Sequence, residues 1–151
     1  MRGNRLRYLT ANDWTLIQAK AEPRTYKLGD EIIREGDWLD KIYVIRKGEA
    51  SVELAGTGSR AILASLGPDD VCGDMAFLEQ GKATAAVIAK DEEVVVEQID
   101  THELRLLLES FPRLASRLYR SLALVMAQRL KATSHELARE MRLRDTIRKS
   151  V

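Results

Sequence analysis

The sequence has few of the residues that build disulfide frameworks and metal centres. It contains one cysteine, Cys72, and two histidines, His102 and His135, in 151 residues. A single cysteine cannot form an internal disulfide, and two histidines far apart in the chain match no metal-binding pattern. Both histidines fall in segments with helical periodicity, where we expect them on the surface. We therefore expect no metal site and no catalytic residues, and we interpret the chain as a non-enzymatic protein.

A strong charge imbalance and long apolar runs are also absent. The net charge of +1 gives no overall attraction to nucleic acid or to an acidic membrane. No apolar run reaches the length of a membrane span, and Met1 to Leu9 lacks the apolar core of a signal peptide. With 45% hydrophobic and 31% charged residues, the composition is that of a globular protein. We expect a cytoplasmic protein without a membrane partner, because a lone cysteine fits a reducing compartment.

Short β-forming segments are what the sequence has in abundance. From Arg24 to Ile99, runs rich in Val, Ile and Tyr alternate with glycine-containing turns about every ten residues, a pattern typical of a β-sandwich or barrel. Thr10 to Asp13 has the form of a capping box and predicts a helix to about Lys20, which Pro23 would end. The predicted strands are Arg24 to Leu28, Glu31 to Arg34, Lys41 to Arg46, Ala50 to Leu54, Arg60 to Leu66, Ala83 to Ala89 and Val94 to Ile99.

The periodicity becomes helical after Asp100. A short helix is predicted from Thr101 to about Ser110, and Pro112 suits the first turn of a second helix. That second helix contains no later glycine or proline and is predicted to reach about Arg144, a length of roughly 50 Å. Its apolar residues form a narrow stripe at spacings of three or four: Met126, Leu130, Thr133, Leu137 and Met141. Such a stripe is typical of a coiled-coil seam, and the alternative is that it folds back onto the sandwich.

A segment between the late strands has the features of an anion-binding turn. Gly73 and Asp74 precede a short apolar run, Met75 to Leu78, which can form only two helical turns. Gly73 permits close approach of a ligand, and the first amides of the helix have no intrahelical partners. In this interpretation Asp74 accepts a hydrogen bond from a sugar hydroxyl while the amides hold a phosphate. A plain surface helix between two strands would have the same pattern.

These segments together resemble the cyclic nucleotide-binding domains. Ile32 to Asp37 followed by Ile42 to Gly48 resembles the glycine-marked first half of that family, and Gly73 to Leu78 resembles its phosphate-binding cassette. The resemblance extends from about Leu9 to Met141. It implies a mainly β fold, a double-stranded β-helix (jelly-roll) sandwich with an N-terminal helix over residues 1–110. Residues 111–151 would then be a long dimerisation helix and a basic tail of the same domain.

The long helix carries a second, narrower resemblance. Met126 to Leu130 and the pair Thr133-Ser134 resemble the ligand-covering helix of catabolite-activator-type regulators. The resemblance implies a homodimer in which Arg129 supports the ribose, while Thr133 and Ser134, one from each protomer, contact the adenine. Cyclic AMP is the expected ligand, with cyclic GMP as the alternative. The ligand-binding residues implied are Gly73, Asp74, Met75, Lys82, Ala83, Thr84, Arg129, Thr133 and Ser134.

Two positions depart from the family's cassette. Asp74 stands where the family usually has Glu, and Ala83 stands where it has the Arg that pairs with the phosphate. Lys82 is adjacent, but consecutive strand residues point to opposite faces, and an ammonium cannot reproduce the fork of a guanidinium. Loss of a charge-assisted pair is worth about 1.5–3 kcal/mol, so we expect affinity to fall roughly ten- to hundredfold.

Two functions therefore remain open. The first is a sensor that binds a cyclic nucleotide and acts through its long helix on an effector protein that the sequence does not identify. The second is a structural or docking dimer that no longer binds a nucleotide. Catabolite-activator-type regulators continue into a helix-turn-helix domain, whereas this sequence ends at Val151 and leaves no room for a recognition helix. Sequence-specific binding to nucleic acid is not expected.

Overall fold

The computed structural model describes residues 5–150, in which two β-sheets are flanked by four helices. None of the helices within this range is long and apolar enough to span a membrane. In chain order the elements are α1 (Ala11–Gln18), β1 (Ala21–Tyr26), β2 (Glu31–Ile33), β3 (Lys41–Lys47), β4 (Ala50–Ala55), β5 (Arg60–Leu66), β6 (Val71–Cys72), α2 (Asp74–Glu79), β7 (Ala86–Ala89), β8 (Val94–Asp100), α3 (Thr101–Ser110) and α4 (Pro112–Lys149).

The strands form two four-stranded antiparallel sheets, ordered β1-β8-β3-β6 and β2-β7-β4-β5. Consecutive strands mostly lie in opposite sheets, so the predicted jelly-roll sandwich is confirmed. Ile45, Leu66 and Val96 are fully buried between the sheets. A second apolar cluster joins β3 and β6 to α1, α3 and the first third of α4 through Leu104, Leu118 and their neighbours. The start of α4 is thus part of the core.

Several predicted boundaries differ from the structure. Strand β6 was not predicted, because two residues are too few to show an alternating pattern. The predicted strand from Ala83 begins only at Ala86, since Ala83 hydrogen-bonds to the loop before β3 instead of joining a ladder. Pro23 does not end α1, which stops at Gln18. It lies exposed in β1, an edge strand whose outer side needs no amide donor.

Hydrogen bonds fasten α1 and the segment before it to α4. The predicted capping box is confirmed: the Asp13 amide donates to Thr10 Oγ1 at 3.1 Å, and the Thr10 amide donates to Asp13 Oδ2 at 3.0 Å. Arg117 of α4 donates to both oxygens of the same carboxylate, at 2.6 and 2.8 Å. The Tyr8 amide donates to Ser121 Oγ at 2.9 Å. The base of α4 therefore has a fixed position on the sandwich.

The distal part of α4 is exposed. The helix begins at Pro112, as predicted, but ends at Lys149 rather than near Arg144. Along the predicted stripe, Leu130 is 68% exposed, Leu137 57% and Met141 58%. These three side chains therefore do not fold back onto their own sandwich, whereas Met126 is partly buried. His102 and His135 are exposed on helices, as predicted.

Candidate functional site

A cavity of about 460 Å³ lies between the β2-β7-β4-β5 sheet, α2 and α4. That volume is in the range of pockets that bind small ligands. Its walls come from Ile33, Leu39 and Val52, from 63–66 of β5, from 72–76 around the start of α2, from 83–85 and Val87, and from Gln128, Arg129, Ala132, Thr133 and Glu136 of α4. Most of this lining is apolar, and the polar groups are concentrated at α2 and α4.

Gly73 shapes the α2 side of the cavity. Its φ of 80° is in the left-handed region, and it precedes the first residue of α2. A Cβ at this position would lie 3.2 Å from the carbonyl oxygen of Lys41 and 3.2 Å from the ring of Tyr43. Glycine is therefore needed both for the backbone conformation and for the close packing of α2 against β3. This turn directs Asp74 into the cavity.

An ion pair between Asp74 and Arg129 joins α2 to α4. The Asp74 side chain is 3% exposed, and its two oxygens each lie 3.2 Å from a guanidinium nitrogen of Arg129. Burial raises the pKa of Asp74 above its ordinary value, although Arg129 and the amides of Asp74 and Met75 act in the opposite direction. A ligand that hydrogen-bonds to the Asp74 carboxylate would contact α2 and would also change the partner of Arg129 on α4.

The backbone of Ala83 is held by the loop between β2 and β3. Its amide donates to the Asp37 carbonyl at 2.8 Å, and its carbonyl accepts from the Gly36 amide at 2.9 Å. The methyl group lines the cavity and is buried. Lys82 does not line the cavity: its ammonium lies 5.4 Å from the centre of the exposed Trp38 ring. Its predicted contact with a ligand stays a prediction.

The structure brings most of the predicted site residues together. Those that line the cavity are Gly73, Asp74, Met75, Ala83, Thr84, Arg129 and Thr133. Ser134 is exposed and does not line it, since one residue turns a helix by about 100°. Its predicted contact with a ligand of a second protomer stays a prediction.

Two polar residues of the cavity were missed by sequence reasoning. Glu136 lines it together with Arg129 and Thr133, and the spacings of four and three residues along α4 were the available signal. Gln128 also lines it, and its Oε1 is buried without a hydrogen-bond partner among residues 5–150. Arg129 is the only cationic residue among those that line the cavity.

The chain is similar to known proteins that bind cyclic nucleotides. Residues 23–111, more than half of it, match the family model of the cyclic nucleotide-binding domain. Cyclic GMP-binding protein C of Dictyostelium discoideum is 34% identical in an alignment 130 residues long that covers 81% of this chain and 5% of that protein. Cyclic AMP receptor protein of Thermus thermophilus is 32% identical in an alignment 120 residues long that covers 76% of this chain and 51% of that protein. The chain thus spans about half or less of these relatives.

Solved structures of cyclic nucleotide-binding domains have a similar fold. The crystal structure of a cyclic nucleotide-binding domain from Methylobacillus flagellatus superposes with a TM-score of 0.79 at 16% identity, covering 87% of this chain and 74% of that one. At this level of identity the likeness concerns the fold alone.

Proposed function

Because the chain belongs to the cyclic nucleotide-binding domain family, we propose that it is a non-enzymatic regulatory module that binds a cyclic nucleotide in the cavity between the sandwich and α4. The observation that carries the proposal is the Asp74–Arg129 pair, buried at the junction of α2 and α4. A sugar hydroxyl that donates to Asp74 would change the partners of Arg129 as well. Ligand binding at the cassette is thereby linked to the position of the long helix.

The proposed orientation follows from the polar groups around the cavity. The ribose lies at Asp74 and Arg129, and the cyclic phosphate lies near Thr84, whose hydroxyl can donate to it. The Ala76 amide in the first turn of α2 and the amide of Ala85 are further donors, whereas the amides of Asp74 and Met75 interact with the Asp74 carboxylate. The base then extends along α4 toward Thr133. Since Ala83 supplies no guanidinium, we expect affinity roughly ten- to hundredfold below that of a cassette with arginine at this position.

The proposed output is the distal part of α4. In this proposal residues 1–110 sense the ligand and residues 111–151 transmit the response, while the Asp13–Arg117 pair holds the base of the helix in place. The exposed side chains of Leu130, Leu137 and Met141 form a parallel homodimer seam, because an apolar stripe of this spacing is stabilised by a second helix. The dimer acts on an effector protein.

Ligand-induced thermal stabilisation tests this function. A ligand that binds only the native state raises its stability by about 2.7 kcal/mol at one hundred times the Kd. We expect cyclic AMP or cyclic GMP to raise the Tm of the wild-type chain and of Glu92→Ala, which changes an exposed acid that does not line the cavity. The same ligand should give a much smaller shift in Asp74→Ala. Equal shifts in all three proteins would show that the ligand binds elsewhere.

Ala83 favours a second candidate function. Without the phosphate-binding arginine, the chain could serve as a docking dimer that binds no nucleotide. This candidate predicts no thermal shift with either nucleotide at millimolar concentration, together with an unchanged homodimer. The two functions therefore differ in one measurement, because only the first requires a ligand-dependent Tm.

A further inference from the structure

The side chains that line the cavity offer little positive charge to an anion. Within the described range, 5–150, the charged groups of the lining are two carboxylates, Asp74 and Glu136, and one guanidinium, Arg129, which sum to a formal charge of −1. The other lining side chains are apolar or neutral. An anion that leaves water for such a wall loses its hydration without gaining a counter-charge, which is costly. The lining therefore disfavours the charge of a phosphate.

The Arg129 guanidinium is already engaged by Asp74. Two of its nitrogens each lie 3.2 Å from one oxygen of that carboxylate, and one of them also lies 3.5 Å from the carbonyl oxygen of Val71. If Arg129 turned toward a phosphate, the Asp74 carboxylate, 3% exposed, would remain as a buried charge without its partner. That loss offsets the attraction that Arg129 could give to the phosphate.

The remaining polar groups near α2 are neutral donors. The amides of Asp74 and Met75 interact with the Asp74 carboxylate, and α2 is only six residues long. Ala83 and Thr84, between α2 and β7, contribute a methyl group and a hydroxyl to the lining. Hydrogen bonds from neutral donors are stronger to a phosphate than to a hydroxyl. They supply no positive charge, however, so the cost of dehydrating the anion works against this gain.

A nucleoside differs from its cyclic nucleotide only at this end of the molecule. It has free 3′- and 5′-hydroxyl groups where the cyclic nucleotide has a phosphodiester with one negative charge. Each hydroxyl can donate as well as accept, so it can bond to the Thr84 hydroxyl or donate to the Asp74 carboxylate, which only accepts. The base and the 2′-hydroxyl are the same in both molecules. The two ligands therefore compare the charge preference of the cavity directly.

We propose that the cavity does not select for the cyclic phosphate, and that an uncharged purine nucleoside binds in it with an affinity within about threefold of that of the cyclic nucleotide. The inference rests on the proposed function, because it concerns the phosphate end of the same cavity. It follows from the methyl group at Ala83 together with the Asp74–Arg129 pair, which give that end no cation of its own among residues 5–150. The regulatory module then responds to nucleosides as well as to cyclic nucleotides.

Calorimetric titration of the full chain at one fixed salt concentration tests the proposal with four probes: adenosine, guanosine, cyclic AMP and cyclic GMP. We expect each nucleoside to bind with a Kd within about threefold of that of the cyclic nucleotide with the same base. Prior saturation with the nucleoside should abolish the binding heat of the cyclic nucleotide, because the two occupy one site.

Ala83→Arg should separate the two kinds of ligand. The new guanidinium can form a bidentate pair with a phosphate but not with a hydroxyl, so each cyclic nucleotide should bind at least about tenfold tighter while each nucleoside stays within about threefold. Ala19→Arg is the matched control, since Ala19 is an exposed alanine at the end of α1 that does not line the cavity. It should leave every Kd unchanged. The wild-type comparison decides the proposal even if Ala83→Arg does not fold.

The ratio of the nucleoside Kd to the cyclic nucleotide Kd in the wild-type chain, for the base that binds tighter, is the deciding quantity. A ratio of about threefold or less with competition for one site supports the proposal. A larger ratio, or a nucleoside that does not displace the cyclic nucleotide, overturns it while the proposed function stands. A folded Ala83→Arg that leaves the ratio unchanged, or an Ala19→Arg that raises it equally, also overturns it.

Two outcomes bear on the proposed function itself. Binding of a nucleoside without binding of either cyclic nucleotide supports the inference about charge and overturns the proposed function. If none of the four probes binds, both fail.

Discussion

Removal of Arg129 should cost stability in a pH-dependent way. In Arg129→Ala the Asp74 carboxylate, 3% exposed, loses the guanidinium that lies 3.2 Å from each of its oxygens. Loss of one member of a fully buried ion pair costs roughly 3–5 kcal/mol. The Arg129 side chain is 31% exposed, so water screens part of the interaction, and we expect a loss of about 2–3 kcal/mol at pH 7.

The sign of the pH dependence follows from the pKa of Asp74. Burial already raises this pKa in the wild-type chain, and without Arg129 it should rise further. An aspartate in the unfolded chain titrates near its ordinary pKa of about 3.9. The native variant therefore binds a proton at higher pH than its unfolded form does. The stability deficit is fully present above the raised pKa. It shrinks as the pH falls through that pKa toward the unfolded value of about 3.9, below which both states are protonated.

Urea denaturation at one protein concentration, from pH 4.5 to pH 8, measures this effect. Arg139→Ala, an exposed arginine on the same helix, is the control and should change the free energy of unfolding by less than about 0.5 kcal/mol. Adding Asp74→Asn to Arg129→Ala removes the buried charge and should restore about 1–2 kcal/mol. A stability deficit of Arg129→Ala that is constant with pH would refute the reasoning. So would additivity, in which the separate effects of Arg129→Ala and Asp74→Asn sum to the effect of the double variant to within about 0.5 kcal/mol.

Two further predictions concern the base and the middle of α4. Asp13→Asn should lose about 2 kcal/mol of folding stability at pH 7, because Arg117 holds the pKa of Asp13 at about 2 and the variant leaves without its carboxylate a guanidinium that is 35% exposed and partly screened by water. The difference from wild type in urea denaturation should persist above pH 4 and disappear as the pH falls toward 2, since a depressed native pKa stabilises only above the unfolded value. Leu130→Asp should convert the proposed homodimer into a folded monomer at tens of micromolar in sedimentation equilibrium. Leu28→Asp, a leucine 60% exposed in the turn after β1, should leave the mass unchanged, and a monomeric wild-type chain would contradict the seam.

Structural features that depend on residues close together in the chain were predictable from the sequence. The Thr10 capping box, the helix start at Pro112 and the turn at Gly73 each depend on residues within one or two turns. The regular spacing of glycine-containing turns predicted the sandwich, because strand length and turn chemistry are local. The resemblance to a family then identified seven of the residues that line the cavity.

Long-range contacts were not predictable in this way. Asp13 and Arg117 are 104 residues apart, and nothing in either neighbourhood indicates the other. Glu136 looks like any charged residue on an exposed helix, and only the path of α4 across the sheet brings it into the cavity. Lys82 and Ala83 are adjacent in the chain, but only Ala83 lines the cavity. Its position is fixed by backbone hydrogen bonds to the loop before β3, which is distant in sequence.

The most direct test of the central claim is a paired calorimetric titration of the wild-type chain and Ala83→Arg with cyclic AMP and cyclic GMP at one fixed salt concentration. Ala83 faces the cavity and its backbone is fixed, so an arginine there would reach the proposed phosphate position. The account predicts that both proteins bind and that Ala83→Arg binds at least about tenfold tighter, through a bidentate pair with the phosphate. A wild-type chain that gives no binding heat with either nucleotide at millimolar concentration would contradict it, whatever the variant does.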